Sequence, residues 1–270
     1  ASGIKPISGS SIRVIFDDDE QSHELLCLAK TNIGHKNLMR IISSAHNNYS
    51  YQSPIINFND LIKLKDDIIV ISGGKDSHVF ELLKRNKIKD AEKKIESFLK
   101  VFDDDFILEV QKTNRPDEFE YFSNILPIAS AKGIPLIATN DVLFAKPDDF
   151  DTHETKVCIN TGKTLNDPNR EKIFSQEQFF KSSDDMAKLF KGFDSLLENT
   201  NEISKKCNVS IHTKQYFLPE YPVPDEHNFD SFLVDLSKKR LQEFINDFND
   251  EKNKIYTDRL DYELNQIKTM

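Results

Sequence analysis

The middle of the chain places metal-ligating side chains where parallel sheets build their sites. The run Ile134–Asp141 is an apolar strand that ends in Thr-Asn-Asp, and Asp151 and His153 follow a short way downstream. Parallel α/β folds carry their functional groups at the carboxyl ends of strands. A carboxylate near an imidazole offers oxygen and nitrogen ligands to a divalent metal. The pattern therefore predicts one rim of a metal site.

Strands and helices alternate in the first half of the chain. The apolar alternation of Ser11–Phe16 and the apolar run His23–Leu28 predict a hairpin. A βαβ pattern follows, with connections long enough for parallel pairing. Its elements are a strand at Asp67–Ile71, a strand at Phe106–Val110, a helix at Pro116–Lys132 and a strand at Ile134–Ala138. This order predicts a barrel or an open parallel sheet.

In the second half of the chain the apolar residues recur at helical spacing, and no apolar run comparable to the strands of the first half is present in the sequence. The helical patterns lie at Phe179–Phe190, Leu196–Cys207 and Phe229–Phe248. Between the last two, Tyr216–Asp225 is rich in proline and aromatic residues, which predicts an extended segment. We place the main domain boundary there, between residues 1–215 and 216–270.

Composition limits the classes of function. A net charge of -9 argues against a surface dedicated to nucleic-acid phosphates, because such surfaces concentrate Lys and Arg. The three cysteines form no disulfide framework or zinc ribbon pattern, which favours a reducing cytoplasm. No window predicts a membrane span or a signal peptide. The chain starts without Met in strand-like sequence, so we expect a piece of a longer protein.

Motifs spread over nearly the whole chain occur in an order typical of one family. They are Gly3-Ile-Lys-Pro-Ile-Ser-Gly9, His23, Gly34-His-Lys-Asn-Leu38, Ile71-Ser-Gly-Gly74, Leu108-Glu-Val110, Arg115-Pro-Asp117, Ala138-Thr-Asn-Asp141, Asp151-Thr-His153, Leu196 to Asn208, Phe217-Leu-Pro219 and Tyr262-Glu-Leu264. In this order they resemble the alpha subunits of bacterial DNA polymerase III, which are replicative C-family polymerases. Residues 1–215 resemble the polymerase-and-histidinol-phosphatase (PHP) domain, and residues 216–270 a linker and the helical start of the polymerase palm. The resemblance implies an α/β fold: a distorted PHP-type (βα) barrel without its first strands, followed by a mostly helical segment.

Active members of this family gather His, Asp, Glu and Cys around metal ions whose bound water becomes a nucleophile for phosphoester hydrolysis. The resemblance assigns four surviving ligand positions to this chain, namely His23, Glu109, Asp151 and His153. Other ligand positions are occupied by Ser11, Gly74, Leu143 and the run Lys112-Thr113-Asn114. The resemblance therefore implies a remnant PHP site without a working metal cluster. No cofactor is then expected in this piece, whereas zinc or manganese is expected if the site is active.

Each surviving position also has a purely structural interpretation. His23 on an apolar strand is typical of a packed, hydrogen-bonded histidine, and Glu109 can accept a backbone amide at a strand end. Asp151 fits a helix N-cap, because Glu154 three residues later completes a capping box. His153 would then lie in the first turn of that helix.

The resemblance implies a parent protein that adds deoxynucleotides to a primer with Mg²⁺ and carries its catalytic carboxylates beyond this chain. It implies that this piece has no catalytic residues and acts as a scaffold that docks the proofreading exonuclease subunit. Other replisome subunits are further expected partners, and DNA is bound by the parent polymerase. The alternative is an active metal-dependent PHP phosphoesterase, either a 3'-5' exonuclease or a pyrophosphatase. A stand-alone histidinol-phosphatase-like enzyme leaves residues 174–270 without a role.

Overall fold

The computed structural model describes residues 3–17, 19, 21–47, 54–211, 216 and 219–269. The chain forms two compact units, Ala1–Ile211 and His212–Met270. Parts of two predicted features lie outside the described residues: positions 18 and 20 between the two strands of the predicted hairpin, and positions 217 and 218 of the proline-rich segment. Of the described helices, none has both the length and the apolar character that a membrane span requires.

The first unit is built on a mixed sheet of six strands. The strands are β1 (Gly9–Ile15), β2 (Ser22–Ala29), β3 (Ile55–Asn57), β4 (Ile68–Ile71), β5 (Phe106–Gln111) and β6 (Leu136–Thr139), in the order β3-β1-β2-β4-β5-β6. β1 and β2 are antiparallel, with Val14 opposite His23, which confirms the predicted hairpin. β4, β5 and β6 are parallel, which confirms the predicted βαβ pattern.

Helices cover both faces of this sheet. Those of the first unit are α1 (Asn32–Asn47), α2 (Phe58–Ile62), α3 (His78–Lys84), α4 (Ile88–Phe102), α5 (Glu118–Lys132), α6 (Phe150–Thr161), α7 (Ser183–Leu189) and α8 (Asp194–Lys206). The main core lies on the face that carries Val14, Leu25, Val70 and Leu108. A smaller cluster, which includes Ile203 of α8, covers the opposite face. Because neighbouring residues of a strand point to opposite faces, these two cores establish where each polar side chain points.

The second unit consists of α9 (Phe229–Ile245) and α10 (Asp250–Thr269), with residues 219–228 before them. The side chain of Asn228 caps α9 by accepting a hydrogen bond from the Ser231 amide. The two helices contact each other through the rings of Phe244 and Tyr256, whose centroids are 5.7 Å apart. The predicted fold class, an α/β sheet of PHP type followed by a helical segment, is confirmed.

Two local predictions differ from the structure. The three-residue strand β3 was not predicted, because Ile-Ile-Asn is too short to show alternation. Asp151 is not the N-cap of α6: the helix begins at Phe150 after the 3₁₀ turn Pro147–Asp149, and Asp149 is its N-cap residue. The side chain of Asp149 accepts a hydrogen bond from the Lys146 amide at 2.9 Å, which stabilises this earlier start.

Candidate functional site

Polar side chains meet in a cavity of about 300 Å³ at the carboxyl ends of β4, β5 and β6. Its lining includes the carboxylates Glu24, Asp76, Glu109 and Asp141, the cations Lys75 and Arg115, and the polar residues Ser11, Gln111, Thr139 and Asn140. The loop after β4 contributes Gly73 and Gly74, and the segment after β6 contributes Val142. This is the edge of the sheet at which parallel strands build functional sites. We call this cavity the carboxylate cavity.

Glu109 is the most deeply placed of these carboxylates and is 5% exposed. Its Oε2 atom accepts a hydrogen bond from the Gly74 amide at 2.9 Å. Its Oε1 atom accepts hydrogen bonds from the side-chain amide of Gln111 at 3.0 Å and from the Thr139 hydroxyl. Both oxygens are therefore already used as acceptors by neighbouring protein groups, as a buried carboxylate requires.

Arg115 brings a guanidinium into the same cavity, and its side chain is 7% exposed. The Nη1 atom donates to Asp141 at 2.9 Å, Nη2 donates to Gln111 at 2.7 Å, and Nε donates to Glu118 at 3.0 Å. Arg115 thus links the loop after β6 to the start of α5 by charge-assisted hydrogen bonds. Its fixed positive charge offsets part of the negative charge of these carboxylates.

Glu24 faces this acidic group from β2. Its pKa is raised above the usual 4.5, first by burial and then by the charges of Asp76, Glu109 and Asp141, while a hydrogen bond from Ser11 opposes the shift. The carboxyl group is therefore easier to protonate than an exposed glutamate.

The Gly73–Gly74 loop lies close to its neighbours, against backbone atoms at Gly73 and against the end of the Gln111 side chain at Gly74. A Cβ atom on Gly73 would lie 2.3 Å from the carbonyl oxygen of Glu24, and the φ angle of Gly73 is +79°. A Cβ atom on Gly74 would lie 2.8 Å from the side-chain amide of Gln111. Gln111 therefore occupies the space that a cysteine at position 74 would need.

The structure does not bring the four predicted ligand positions together. Glu109 lines the carboxylate cavity, whereas His23 lies on the other face of β2, beside Phe16 and His78. Asp151 is exposed in the first turn of α6.

His153 lies one turn into α6, between the rings of Phe144 and Phe174. The centroid of its imidazole lies 5.5 Å from the ring centroid of Phe144 and 4.8 Å from that of Phe174. Its helix neighbour Glu154 is buried and forms an ion pair with Arg170. His153 is not among the residues that line the carboxylate cavity.

The positions expected to have lost a ligand are also distributed unevenly. Ser11 and Gly74 line the carboxylate cavity, but Leu143 does not: its neighbour Val142 does, and Leu143 is 39% exposed. Lys112 points away from the cavity into a group of aromatic rings, and its Nζ atom lies 4.8 Å from the ring centroid of Phe122.

Four cavity residues, Glu24, Asp76, Gln111 and Arg115, were not predicted as site residues. Glu24 could have been found from strand alternation. His23, Leu25 and Cys27 share the apolar face of β2, so Glu24 must share the other face. Arg115 belongs to the Arg115-Pro-Asp117 motif, but nothing in the local sequence shows that its partners Asp141 and Gln111 approach it.

A separate group of ligand atoms lies on the main-core face of the hairpin. Asp19, His23 and His78 each offer one ligand atom, and these atoms all lie within 4.8 Å of one another. This spacing would allow the three residues to hold a metal ion.

Comparison with known proteins agrees with the resemblance seen in the sequence. Residues 1–113 match the family described as "PHP domain". Along its full length the chain is 37% identical, over 277 residues, to "DNA polymerase III subunit alpha" of Haemophilus influenzae, and covers 24% of that protein. It is 38% identical over 279 residues to the protein of that name from Escherichia coli K12, where 99% of the chain and 24% of the relative align.

The protein of that name from Pseudomonas aeruginosa is 35% identical over 278 residues, with 99% of the chain and 24% of the relative aligned. The chain spans about a quarter of the length of these curated relatives. The chain therefore belongs to the family of DNA polymerase III alpha subunits, in the amino-terminal region that contains their PHP domain.

Proposed function

We propose that this chain is the PHP region of a bacterial replicative DNA polymerase and that it acts as a scaffold without hydrolytic activity of its own. The parent protein would add deoxynucleotides to a primer with Mg²⁺, through carboxylates outside these residues, and would work in the cytoplasm. The proposal for the parent rests on identity along the whole chain to proteins named DNA polymerase III subunit alpha. The proposal for this region rests on its own side chains.

One observation carries the scaffold role: the guanidinium of Arg115 lies among the carboxylates of the carboxylate cavity and is hydrogen-bonded to Asp141. A cluster of divalent cations needs carboxylates and imidazoles with free electron pairs. Here a fixed cation competes for the same carboxylates, and no histidine stands among the described residues that line the cavity. These residues do not fit the metal cluster of an active PHP enzyme.

The hydrogen bonds of Glu109 support the same interpretation. Its two oxygens accept from Gly74, Gln111 and Thr139, groups that belong to three different segments of the chain. These three bonds use three of the roughly four acceptor positions of the carboxylate, so a metal at Glu109 would compete with the donors. Each donor that it displaced would lose its partner in a buried site, at a cost of about 1–3 kcal/mol. The carboxylate therefore ties the carboxyl ends of β4, β5 and β6 together.

A scaffold in a replicative polymerase also holds partners. We propose that this region docks the proofreading exonuclease subunit, in keeping with the family resemblance, and that other replisome subunits bind the parent protein. Isothermal titration of the protein with the exonuclease subunit of the same bacterium tests this part. Saturable heat at micromolar concentration is expected, and a flat titration with folded protein would contradict docking.

A second function remains a candidate because four carboxylates do converge. Carboxylate oxygens suit Mn²⁺ or Mg²⁺. A 3'-5' exonuclease or pyrophosphatase would bind such an ion through Glu24, Asp76, Glu109 and Asp141. The decisive assay measures 3'-end hydrolysis of single-stranded DNA and release of phosphate from pyrophosphate, in Mn²⁺ and in Zn²⁺, for wild type and Glu109→Gln. We expect no hydrolysis that depends on Glu109. Turnover by the wild type that disappears in a folded Glu109→Gln variant would establish the enzyme instead.

A further inference from the structure

We propose that Asp19, His23 and His78 form a zinc site that is separate from the carboxylate cavity. The site would lie where the β1–β2 turn meets the start of α3, on the main-core face of the sheet. His23 and Glu24 point to opposite faces of β2, so this site shares no ligand with the carboxylate cavity.

The ligand atoms already converge. The Nε2 atoms of His23 and His78 lie 2.7 and 3.4 Å from the same oxygen, Asp19 Oδ2. Zinc bonds nitrogen and oxygen at roughly 2.0–2.2 Å in tetrahedral geometry, which places ligand atoms about 3.4 Å from one another. The pair of His78 and Asp19 meets this spacing as it stands. The pair of His23 and Asp19 needs to open by less than about 1 Å.

The two imidazoles are buried and packed against each other. His23 and His78 are 5% and 8% exposed, and their rings stack with centroids 4.2 Å apart and planes 12° from parallel. The ring of Phe16 packs beside both imidazoles, with its centroid 6.2 Å from that of His23 and 5.2 Å from that of His78. His78 is the first residue of α3, whose N-cap Ser77 is fully buried. An imidazole lone pair lies in the plane of its ring, so two rings this close to parallel do not both aim at one point. Zinc binding therefore requires one of the two rings to rotate into the adjoining cavity.

Asp19 provides the adjustable ligand. It lies in the turn between β1 and β2. Its Oδ1 atom accepts a hydrogen bond from the backbone amide of Gln21 at 2.9 Å. That bond orients the carboxylate and directs Oδ2 towards the two histidines. A turn residue can shift by a fraction of an ångström more readily than a residue within a strand or a helix.

The charges around the site indicate selectivity for zinc over magnesium. Besides the three ligands, the surrounding cavity of about 400 Å³ is lined by the cations Arg85, Lys87, Lys93 and Lys94 and by the acids Glu81 and Asp90. General electrostatic attraction for cations is therefore weak here. Affinity must come from coordinate bonds to imidazole nitrogen, which zinc accepts readily and Mg²⁺ does not.

The coordination sphere would contain three protein ligands and one solvent position open to the cavity. Zinc would replace the proton that joins His23 Nε2 to Asp19 Oδ2, and that proton would pass to solvent. The competing interpretation is a purely structural trio in which two histidines share one carboxylate through hydrogen bonds. The two interpretations differ in whether the protein takes up zinc in stoichiometric amount.

Zinc titration of metal-stripped protein by calorimetry tests the proposal, with cobalt absorption as a second readout. We expect one equivalent of zinc in the wild type, no competition from millimolar Mg²⁺, and a cobalt spectrum typical of tetrahedral nitrogen and oxygen ligands. His78→Asn and Asp19→Asn should each weaken zinc binding at least about 100-fold, because loss of an outer-shell partner alone costs ~10–100-fold. Asp19 lies in a turn, so its variant keeps the test valid if His78→Asn fails to fold.

The matched controls are His153→Asn and Glu109→Gln, which change the positions that the PHP resemblance assigned to a metal. Both should bind zinc as the wild type does. A wild type that takes up no zinc would overturn the proposal, as would binding that survives Asp19→Asn and His78→Asn but is lost in His153→Asn. The hydrolysis assay of the carboxylate cavity gives its answer independently, so the two proposals can fail separately.

Discussion

His23 and Glu24 are consecutive residues of β2 that face different cavities on opposite sides of the sheet. His23 stacks on His78 above the main core, whereas Glu24 joins Glu109 and Asp141 at the carboxyl ends of the parallel strands. One strand therefore serves two chemically distinct places, and a variant at one of them can leave the other intact.

Arg115→Met should cost about 3–5 kcal/mol of unfolding free energy. The reason is that the carboxylate of Glu118, 6% exposed in its side chain, would remain buried without its cation. Chemical denaturation monitored by circular dichroism measures this loss. The control is Arg85→Met, which removes the exposed ion pair with Glu81 and should cost about 0–1 kcal/mol. Equal small losses in both variants would show that the Arg115 network does not stabilise the fold.

Glu24→Gln should change the pH dependence of stability. The pKa of Glu24 is raised by burial and by neighbouring carboxylates. The stability that Glu24 contributes to the folded state is therefore fully present below pH 4.5 and is lost as pH rises through the folded-state pKa. The variant lacks this loss, so it should gain stability relative to the wild type as pH rises above 4.5. Unfolding free energies measured across that range test the sign.

Glu96→Gln supplies a control of opposite sign. A hydrogen bond from Lys132 and its charge lower the pKa of Glu96 below its ordinary 4.5, so the stability that Glu96 contributes is present above that value and is lost as pH falls. Relative to the wild type, Glu96→Gln should therefore lose stability as pH rises to 4.5 from below, and the difference should stay constant above that value. Parallel pH trends in the two variants would contradict the assignment of Glu24.

Gly73→Ala should destabilise the protein by about 2–5 kcal/mol, as the sum of left-handed backbone strain and a collision. A Cβ atom at this position would meet the backbone oxygen of Glu24, which cannot move without disturbing β2. Gly133→Ala is the matched control: its φ of +65° is also left-handed, but nothing lies within 4 Å of the new Cβ atom. It should cost only about 1–2 kcal/mol. Similar costs would mean that the close approach at Gly73 is unimportant.

Sequence periodicity predicted the elements that carry strong local patterns. The β1–β2 hairpin and the βαβ unit of β5, α5 and β6 followed from apolar alternation and helical spacing. The start of α6 was mispredicted because the 3₁₀ turn Pro147–Asp149 precedes it, and Asp149 rather than Asp151 became its N-cap residue. Competing local hydrogen bonds of this kind leave no periodic signal.

The functional geometry was less accessible from sequence because it depends on long-range approach. Asp19 and His78 come from separate elements and meet only because α3 packs over the hairpin turn. Arg115 reaches Asp141 across two neighbouring parallel strands. Neither pairing has a local pattern, although strand alternation alone separates His23 from Glu24.

Leu143→His tests whether one missing imidazole accounts for the difference between this cavity and an active PHP site. We expect no stoichiometric Mn²⁺ or Zn²⁺ at the carboxylate cavity, because Leu143 is 39% exposed and does not line it. The Leu143 amide donates to the Gln178 carbonyl at 2.9 Å, which fixes the backbone whatever the side chain. Metal analysis should be run in the Asp19→Asn background, so that the proposed zinc site does not contribute. Stoichiometric manganese in that double variant, lost again with Glu109→Gln, would show that Arg115 does not prevent metal binding and that position 143 does control it.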